Sequence, residues 1–250
     1  MNSREQVRVL LIGLGGLGCP TALMLVRAGV GHLRILEDDV VERSNLHRQI
    51  LFEPRDVGEP KLIAGLRAIK AACPDSPTCL DPISTRLLPD NARQLVRDAD
   101  VVIEGSDNFA TKFLCCDACV IEDKPCVQGA AVRWVATAMS SGGKGRPCYR
   151  CLFEDLPALD QAPNCAEAGV VGSVVGMGAA LMVELALRII EGKPDFGWIY
   201  SYDGKRDALR RHPLFARAGC RVCGMSRQIT DVDWSTYDSE ACSAELEGVS

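Results

Sequence analysis

One glycine-rich segment, residues 7–37, constrains the fold of this chain more than any other. An apolar run at residues 7–12 precedes the sequence Gly13-Leu14-Gly15-Gly16-Leu17-Gly18, and residues 19–30 follow with apolar side chains at helical spacing. A second apolar run, residues 33–36, ends at Glu37. This order of strand, glycine turn, helix, second strand and acidic residue is the dinucleotide-type fingerprint. The segment therefore predicts the start of a parallel βαβ unit.

The fingerprint also predicts a nucleotide site. Glycines let the backbone turn tightly and approach a phosphate, and the following helix offers unpaired N–H groups and the positive end of its dipole. Glu37 is placed to accept hydrogen bonds from ribose hydroxyls. The glycines assigned to the site are Gly13, Gly15, Gly16 and Gly18. Two questions stay open, because the pattern does not separate ATP from NAD and such glycines can serve helix–strand packing alone.

Composition narrows the class of protein. The chain has 250 residues, 47% of them hydrophobic, which suits one large α/β domain. A formal net charge of −5 argues against a broad nucleic-acid footprint. Residues 169–190 come closest to a membrane span but include Glu184 and Arg188. The first predicted strand begins almost at the N-terminus, so we expect no signal peptide. The thirteen cysteines then favour thiols and metal in the cytoplasm over disulfides.

The alternation of patterns predicts an α/β fold, a Rossmann-like doubly wound sheet whose N-terminal half is parallel. Beyond the glycine segment, predicted helices and strands alternate at residues 62–72, 79–83, 90–96, 100–104, 109–121 and 124–127. After Gln128 the pattern changes to a mixed or antiparallel extension, with predicted strands at residues 132–140 and 197–209 and a hairpin loop at residues 142–145.

Three further segments complete the predicted organisation. Residues 156–167 are irregular and are predicted to form a crossover loop over the nucleotide site. Residues 169–190 are predicted to form one long apolar helix, a candidate dimer interface. We divide the chain into a domain at residues 1–224 and a flexible acidic tail at residues 225–250, in which Trp234 and Tyr237 are candidate docking residues.

Two CxxC pairs far apart in the sequence predict a metal site. Each pair can offer two thiolates from a tight turn, and two pairs complete a tetrahedral structural zinc site with no open position. Four buried thiols and a redox dithiol are the alternatives. The four residues are Cys148, Cys151, Cys220 and Cys223.

Other cysteines are interpreted as packing residues. Cys116 and Cys119 form a third CxxC beside Cys115, but they lie inside a predicted helix, where burial is the better interpretation. Cys19 opens the first helix, whose dipole is expected to lower its pKa. Even so, it is interpreted as a packing residue beside the phosphates.

Polar residues cluster near the ends of predicted strands, in a pattern that an NAD dehydrogenase does not need. Arginine and lysine neutralise phosphate charge in a transition state, and a carboxylate holds Mg²⁺, so the set favours an enzyme that handles a triphosphate. Each residue alone could be a solvated surface charge. The set comprises Glu37, Asp39, Asn45, Arg48, Lys61 and Asp107, with Asn108 in the same turn.

At these residues the chain resembles the ThiF/MoeB/HesA family of activating enzymes, related to ubiquitin-activating enzymes. The resemblance runs in order through roughly residues 7–224, and a series of this kind is specific. Besides the glycine segment, it rests on Ser44-Asn45-Leu46-His47-Arg48-Gln49, Gly58-Glu59-Pro60-Lys61, Ser106-Asp107-Asn108-Phe109, Gly129-Ala130-Ala131-Val132-Arg133, Pro147-Cys148-Tyr149-Arg150-Cys151, Cys165-Ala166-Glu167-Ala168-Gly169 and Gly219-Cys220-Arg221-Val222-Cys223.

The resemblance implies an ATP- and Mg²⁺-dependent adenylyltransferase. Such an enzyme adenylates the C-terminal glycine of a ubiquitin-like or sulfur-carrier protein and releases pyrophosphate. It also implies a homodimer and a bound Zn²⁺ at the four cysteines. By position, Glu37 holds the ribose, Asn45, Arg48 and Lys61 contact phosphates, and Asp107 coordinates Mg²⁺. The implied nucleotide set also includes Asp39 and Asn108.

Cys165 is the candidate covalent residue. In relatives a cysteine before Glu-Ala-Gly lies on the loop that crosses the carrier tail, and in some it forms a thioester, persulfide or acyl disulfide. The alternative is a structural thiol. Relatives also carry an N-terminal helix whose arginine reaches the ATP of the partner subunit. Here only residues 1–6 precede the first predicted strand, and Arg4 is a poor replacement.

Other functions are weighed against adenylation of a carrier. A tRNA-modifying ATP-dependent dehydratase of the same superfamily fits less well, because the chain is acidic and has two CxxC pairs. A non-catalytic scaffold or partner subunit would fit the missing N-terminal arginine. An NAD oxidoreductase is the most distant alternative.

Overall fold

The computed structural model describes residues 4–143, 145–156 and 169–237. Within them, an eight-stranded sheet has the order β3-β2-β1-β4-β5-β6-β7-β8. Its strands are β1 (Arg8–Ile12), β2 (His32–Leu36), β3 (Cys79–Ile83), β4 (Val101–Glu104), β5 (Cys126–Val132), β6 (Val135–Ser141), β7 (Trp198–Asp203) and β8 (Ala208–Pro213). The helices are α1 (Gly18–Arg27), α2 (Lys61–Ala72), α3 (Pro89–Arg97), α4 (Phe109–Ile121), α5 (Tyr149–Leu152), α6 (Gly172–Ile190) and α7 (Trp234–Tyr237).

The five N-terminal strands pair in parallel, as the alternation predicts. Successive residues of a strand point to opposite faces of the sheet, and β1 is apolar on both. Val9 and Leu11 join a core with α1, α2 and α6, whereas Leu10 and Ile12 join a second core with α3 and α4. Helices therefore cover both faces, and the predicted doubly wound arrangement is confirmed for this half.

The C-terminal strands β6, β7 and β8 pair antiparallel, which confirms the predicted mixed sheet. Two boundaries in this half were predicted wrongly. The hairpin turn lies between β5 and β6 at Arg133, whose φ is 54°, and residues 142–145 do not join paired strands, because α5 follows β6. The predicted strand at residues 197–209 is two strands, because the Asp203 carboxylate accepts the N–H groups of Lys205 and Arg206 and turns the chain.

Helix α6 lies in the middle of the first core. Its residues Val175, Ala179 and Met182 are buried against β5, β6 and α1. By length and composition it is the one helix of the described residues that reaches the size and apolarity of a membrane span, with a mean hydropathy of 1.8. Core helices of globular proteins meet the same criterion, and the packing of α6 against the sheet accounts for its apolar sequence.

The beginning of the predicted tail packs on the second core. The Tyr237 hydroxyl donates to the Asp117 carboxylate at 2.8 Å, and the Trp234 indole N–H donates to Asp90 at 2.9 Å. Ile229 is buried, and its N–H donates to the Arg221 carbonyl. Both aromatic residues singled out in the sequence therefore contact the domain. Residues 238–250 lie outside the described part of the chain, and the division at residue 224 stays a prediction.

Candidate active site and cysteine clusters

The glycine loop connects β1 to α1 at the carboxyl edge of the parallel strands. Gly13 has a φ of +85°, and a Cβ added to Gly18 would lie 2.0 Å from the Gly13 carbonyl oxygen. These two positions therefore require glycine for the fold itself. A Cβ at Gly15 would meet only the Gln49 amide nitrogen, at 3.8 Å. The loop thus combines packing glycines with one position that faces open space.

Glu37 ties the end of β2 to this loop. Its carboxylate accepts the Leu14 N–H at 2.7 Å and the N–H groups of Asp38 and Asp39 at 3.0 Å each. The residue is only 8% exposed. The predicted ribose acceptor is therefore placed beside the glycine loop, where it also fixes the loop backbone.

Lys61, the first residue of α2, points its ammonium group at the same edge. Its Nζ donates to Asp39 Oδ2 at 2.8 Å, and its side chain is 6% exposed. Burial disfavours the charged form, but the negative charges of Glu37 and Asp39 outweigh it and hold the pKa of Lys61 above its usual value. The lysine is a fixed cation near the predicted phosphate site.

Arg48 approaches the loop from the other side. Its Nη2 donates to Asn45 Oδ1 at 2.6 Å, and its aliphatic stem lies 3.5 Å from the position of a Cβ on Gly16. The same Cβ would be 3.2 Å from Val175 of α6. The structure therefore brings Asn45, Arg48 and Gly16 together beside the N-terminal part of α6.

The turn after β4 completes the edge. The Ser106 N–H lies 3.4 Å from the position of a Cβ on Gly13, so this turn contacts the glycine loop directly. Asp107 is exposed at its tip. Asn108 is the N-cap of α4, because its side-chain oxygen accepts the Thr111 N–H at 3.0 Å. Asn108 thus has a structural task that sequence reasoning did not assign to it.

A buried ion pair beneath this turn was missed in the sequence. Lys112 Nζ donates to Glu104 Oε2 at 2.5 Å and to the Gly129 carbonyl at 2.6 Å, and both side chains are almost fully buried. The other oxygen of Glu104 accepts the Ser106 N–H at 2.7 Å and also the Ser106 hydroxyl. The pair therefore anchors the turn that carries Asp107. Two features of the sequence could have indicated this pair: an acidic residue at the end of an apolar strand and a lysine inside an apolar helix.

The two CxxC pairs converge in the second core. Cys148 and Cys220 Sγ atoms are 3.6 Å apart, Cys151 and Cys223 are 3.5 Å apart, and Cys148 and Cys151 are 3.9 Å apart. All four sulfurs lie within 4.8 Å of one another, and all four residues are buried. The predicted convergence of the two pairs is confirmed.

A second cysteine cluster lies on the same side of the sheet. Cys115 and Cys119 project from α4, and Cys126 from the start of β5, with all three sulfurs within 4.8 Å of one another. Each residue is at most 1% exposed, so the predicted burial of Cys115 and Cys119 is confirmed. The contribution of Cys126 was missed, because no spacing rule joins a helix to the next strand.

Cys19 differs from its prediction. It is fully buried, its Sγ lies 3.1 Å from the Leu14 carbonyl oxygen, and burial raises the pKa of its thiol to about 12. The expected lowering by the helix dipole is wrong because desolvation of the thiolate dominates. Its predicted packing role fits this position.

Fold and edge together define a nucleotide-type α/β domain with a cysteine-rich second layer, and the comparisons name its family. The ThiF family matches residues 2–222, and the chain belongs to that family. The chain is 37% identical over 239 residues to the sulfur carrier protein adenylyltransferase of Thermus thermophilus, covering 92% of this chain and 88% of the relative. It is 35% identical to the SAMP-activating enzyme E1 of Haloferax volcanii, covering 96% and 88%.

Two further comparisons complete this picture. The adenylyltransferase and sulfurtransferase MOCS3 of Danio rerio is 37% identical, and the match covers 91% of this chain but 50% of the relative. The crystal structure of E. coli MccB with ATP superposes with a TM-score of 0.75 at 19% identity, over 88% of this chain and 68% of that chain. This likeness shows a shared fold. Cys165 lies outside the described residues, and its role stays a prediction.

Proposed function

We propose that this protein uses ATP to adenylate the C-terminal glycine of a ubiquitin-like or sulfur-carrier protein and releases pyrophosphate. The observation that carries the proposal is the junction of four segments at one edge of the sheet. The glycine loop lies beside Arg48 and beside the turn that carries Asp107, and Glu37 ties it to the segment that pairs with Lys61. The names of the Thermus and Haloferax relatives support the same chemistry.

The chemistry needs positioning and charge neutralisation. The carrier carboxylate attacks the α-phosphorus of ATP, a phosphorus–oxygen bond forms, and the bond to pyrophosphate breaks. Because the nucleophile is already ionised, no general base is needed. Arg48 and Lys61 would neutralise the phosphates, and Glu37 would hold the ribose. When ATP binds, phosphate oxygens would replace Asn45 as the partner of Arg48 and Asp39 as the partner of Lys61.

Asp107 is the residue that would hold Mg²⁺. Mg²⁺ prefers oxygen ligands and usually keeps several waters, binding through one or two carboxylates and the substrate phosphates. An exposed carboxylate on a turn fixed from beneath by Glu104 suits that coordination. The ion would supply charge neutralisation at the phosphates of ATP.

We also propose that the four cysteines hold one structural Zn²⁺. Zinc–sulfur bonds of about 2.3 Å in a tetrahedron place the sulfurs about 3.8 Å apart. The measured separations of 3.5, 3.6 and 3.9 Å fit that geometry. The Arg217 N–H lies 3.5 Å from Cys151 Sγ and provides a second-sphere hydrogen bond. Such a site would join α5 to the segment at residues 220–223.

The partner and setting extend the proposal. The partner is a small carrier with a Gly-Gly C-terminus. The family supports a homodimer, and the cysteine-rich composition supports a cytoplasmic setting. After adenylation, the Cys165 thiolate would displace AMP from the acyl-adenylate and form a thioester. Alternatively, a Cys165 persulfide, formed with sulfane sulfur from a separate persulfide donor, would displace AMP.

The test is ATP–pyrophosphate exchange with small carrier proteins that end in Gly-Gly. We expect exchange that depends on the carrier, and a loss of roughly 100-fold or more in Asp107→Asn, because removing one electrostatic contact in a transition state has effects of about this size. Asp75→Asn is the matched control. Asp75 is an exposed aspartate that precedes β3, so it lies at the amino end of that strand, whereas the candidate site lies at the carboxyl ends of the parallel strands. Normal exchange in Asp107→Asn would refute the magnesium assignment.

Binding measurements made beside the exchange assay separate the alternatives. ATP binding without pyrophosphate exchange, for every carrier tested, would favour the hypothesis of a non-catalytic scaffold or partner subunit. Stronger binding of NADH than of ATP would favour an oxidoreductase, and tight tRNA binding at moderate salt would favour the dehydratase.

A further inference from the structure

The second cysteine cluster is unused by the proposed reaction. Cys115, Cys119 and Cys126 come from two elements, α4 and β5, and their sulfurs converge inside the second core. The Sγ atoms of Cys115 and Cys126 are 3.7 Å apart. Cys116, between them in the sequence, instead has its Sγ beside Cys148, where it accepts the Tyr149 N–H at 3.3 Å. The three sulfurs thus form a cluster separate from the four-cysteine set.

The geometry suits a three-coordinate ion. Metal–sulfur bonds of about 2.3 Å, the zinc–thiolate length, place three sulfurs about 4 Å apart in a plane and closer in a pyramid. The described residues add no fourth histidine, cysteine or carboxylate ligand to this group. A tetrahedral zinc site would lack a ligand here, whereas a trigonal site would be complete.

Burial decides the charge of the ion. The three residues are 0%, 1% and 0% exposed, among apolar neighbours such as Phe113 and Val120. A charged complex in such surroundings carries a large desolvation cost. Three thiolates carry a charge of −3, so a divalent ion leaves −1 and a monovalent ion leaves −2. Only a trivalent ion gives a neutral complex with all three sulfurs bound as thiolates.

We propose that Cys115, Cys119 and Cys126 form a binding site for one trivalent thiophilic ion of the arsenic(III) class. Arsenous acid, As(OH)₃, condenses with the three thiols. Three arsenic–oxygen bonds break, three arsenic–sulfur bonds form, and three waters leave with the thiol protons. Arsenic stays trivalent, and no oxidant or reductant is needed. The product ties α4 to β5 and is uncharged.

Native mass spectrometry of the reduced full chain with sodium arsenite tests this site, with zinc in excess so that the four-cysteine set is occupied. We expect one adduct whose mass gain is one arsenic atom minus three hydrogens. An adduct on two thiols would keep a hydroxyl and differ in mass. We also expect arsenite to raise the melting temperature, because a ligand that binds only the folded state stabilises it.

Three variants locate the adduct. Cys119→Ala and Cys126→Val, on different elements, are each expected to lose both the three-hydrogen adduct and the thermal shift, so failure of one to fold leaves the other informative. Cys116→Ala is the matched control, since it removes a buried thiol from the same helix, and it is expected to keep both. Absence of the adduct in wild type, its persistence in Cys119→Ala, or its loss in Cys116→Ala would overturn the proposal.

Discussion

The candidate nucleotide site at the carboxyl edge of the parallel strands, called the nucleotide edge below, and the four-cysteine set are built in opposite ways. At the edge, Lys61 pairs with Asp39, Arg48 donates to Asn45, and Glu37 accepts backbone N–H groups. In the second core the four sulfurs are buried and converge on one point. Under the proposed function the edge residues exchange partners when ATP binds, whereas the four cysteines are already assembled. Substitutions at the edge should change turnover, and substitutions at the cysteines should change stability.

The largest effect should follow removal of one cysteine of the four. We expect Cys220→Ala to abolish bound zinc and to lower the free energy of unfolding by more than about 4 kcal/mol, a size typical of losing a metal. Zinc content by atomic absorption and urea unfolding are the measurements. Cys79→Ala is the control, because Cys79 is exposed on β3, and its effect should stay within about 0.5 kcal/mol. Equal stability of the two variants would remove the contrast between the regions.

The buried pair beneath the nucleotide edge should give the next effect. Lys112→Met leaves the Glu104 carboxylate without its cation in a site with no exposure, and breaking a buried pair in this way costs about 3–5 kcal/mol. The double variant Glu104→Gln/Lys112→Met removes both charges and should recover most of that loss. Chemical unfolding measures both. If the single variant is as stable as wild type, the turn that carries Asp107 does not depend on this pair.

Sequence reasoning succeeded where a local rule links pattern to structure. The glycine segment predicts β1, α1 and β2, because strand, turn and helix signals follow one another without interruption. Phe109–Ile121 forms a helix with the predicted bounds, since Asn108 caps it. The convergence of the two CxxC pairs was predictable because paired CxxC motifs follow a known ligand-spacing rule.

The failures lie where the deciding contact is distant in sequence or depends on one side chain. The turn between β7 and β8 depends on the Asp203 carboxylate. The three-sulfur cluster depends on how β5 packs against α4. The pKa of Cys19 was mispredicted, because the helix dipole is local while desolvation comes from the whole core.

The glycine loop offers a sharper test within the nucleotide edge. A Cβ at Gly18 would lie 2.0 Å from the Gly13 carbonyl oxygen, a backbone atom, so Gly18→Ala should cost about 2–3 kcal/mol of stability as well as nucleotide binding. Gly15→Ala is the matched control, since its Cβ would meet only the end of Gln49 at 3.8 Å. It should unfold like wild type while binding ATP more weakly. A stable, ATP-binding Gly18→Ala would show that the loop relaxes easily.

The smallest effect concerns Glu122, just after α4, in the layer that carries the cysteines. Hydrogen bonds from Arg97 and Arg93 lower the pKa of Glu122 to about 2. The ordinary glutamate pKa is about 4.3, so the stabilisation is complete above that pH and is lost as the pH falls towards 2. Both arginines are more than a third exposed, and solvent screening limits the effect to about 1 kcal/mol.

Urea unfolding of wild type and Glu122→Gln from pH 7 to pH 2.5 measures this effect. The difference in stability between them should be largest above about pH 4.5 and should shrink as the pH falls. Protonation of Glu122 removes its negative charge from the wild type, and the glutamine variant lacks that charge at every pH. Glu53→Gln is the control, since that carboxylate is 61% exposed beside an exposed Arg55, and its difference should stay near zero throughout. A difference that stays constant from pH 7 to pH 2.5 would contradict this prediction and would mean that Glu122 acts through packing rather than through its charge.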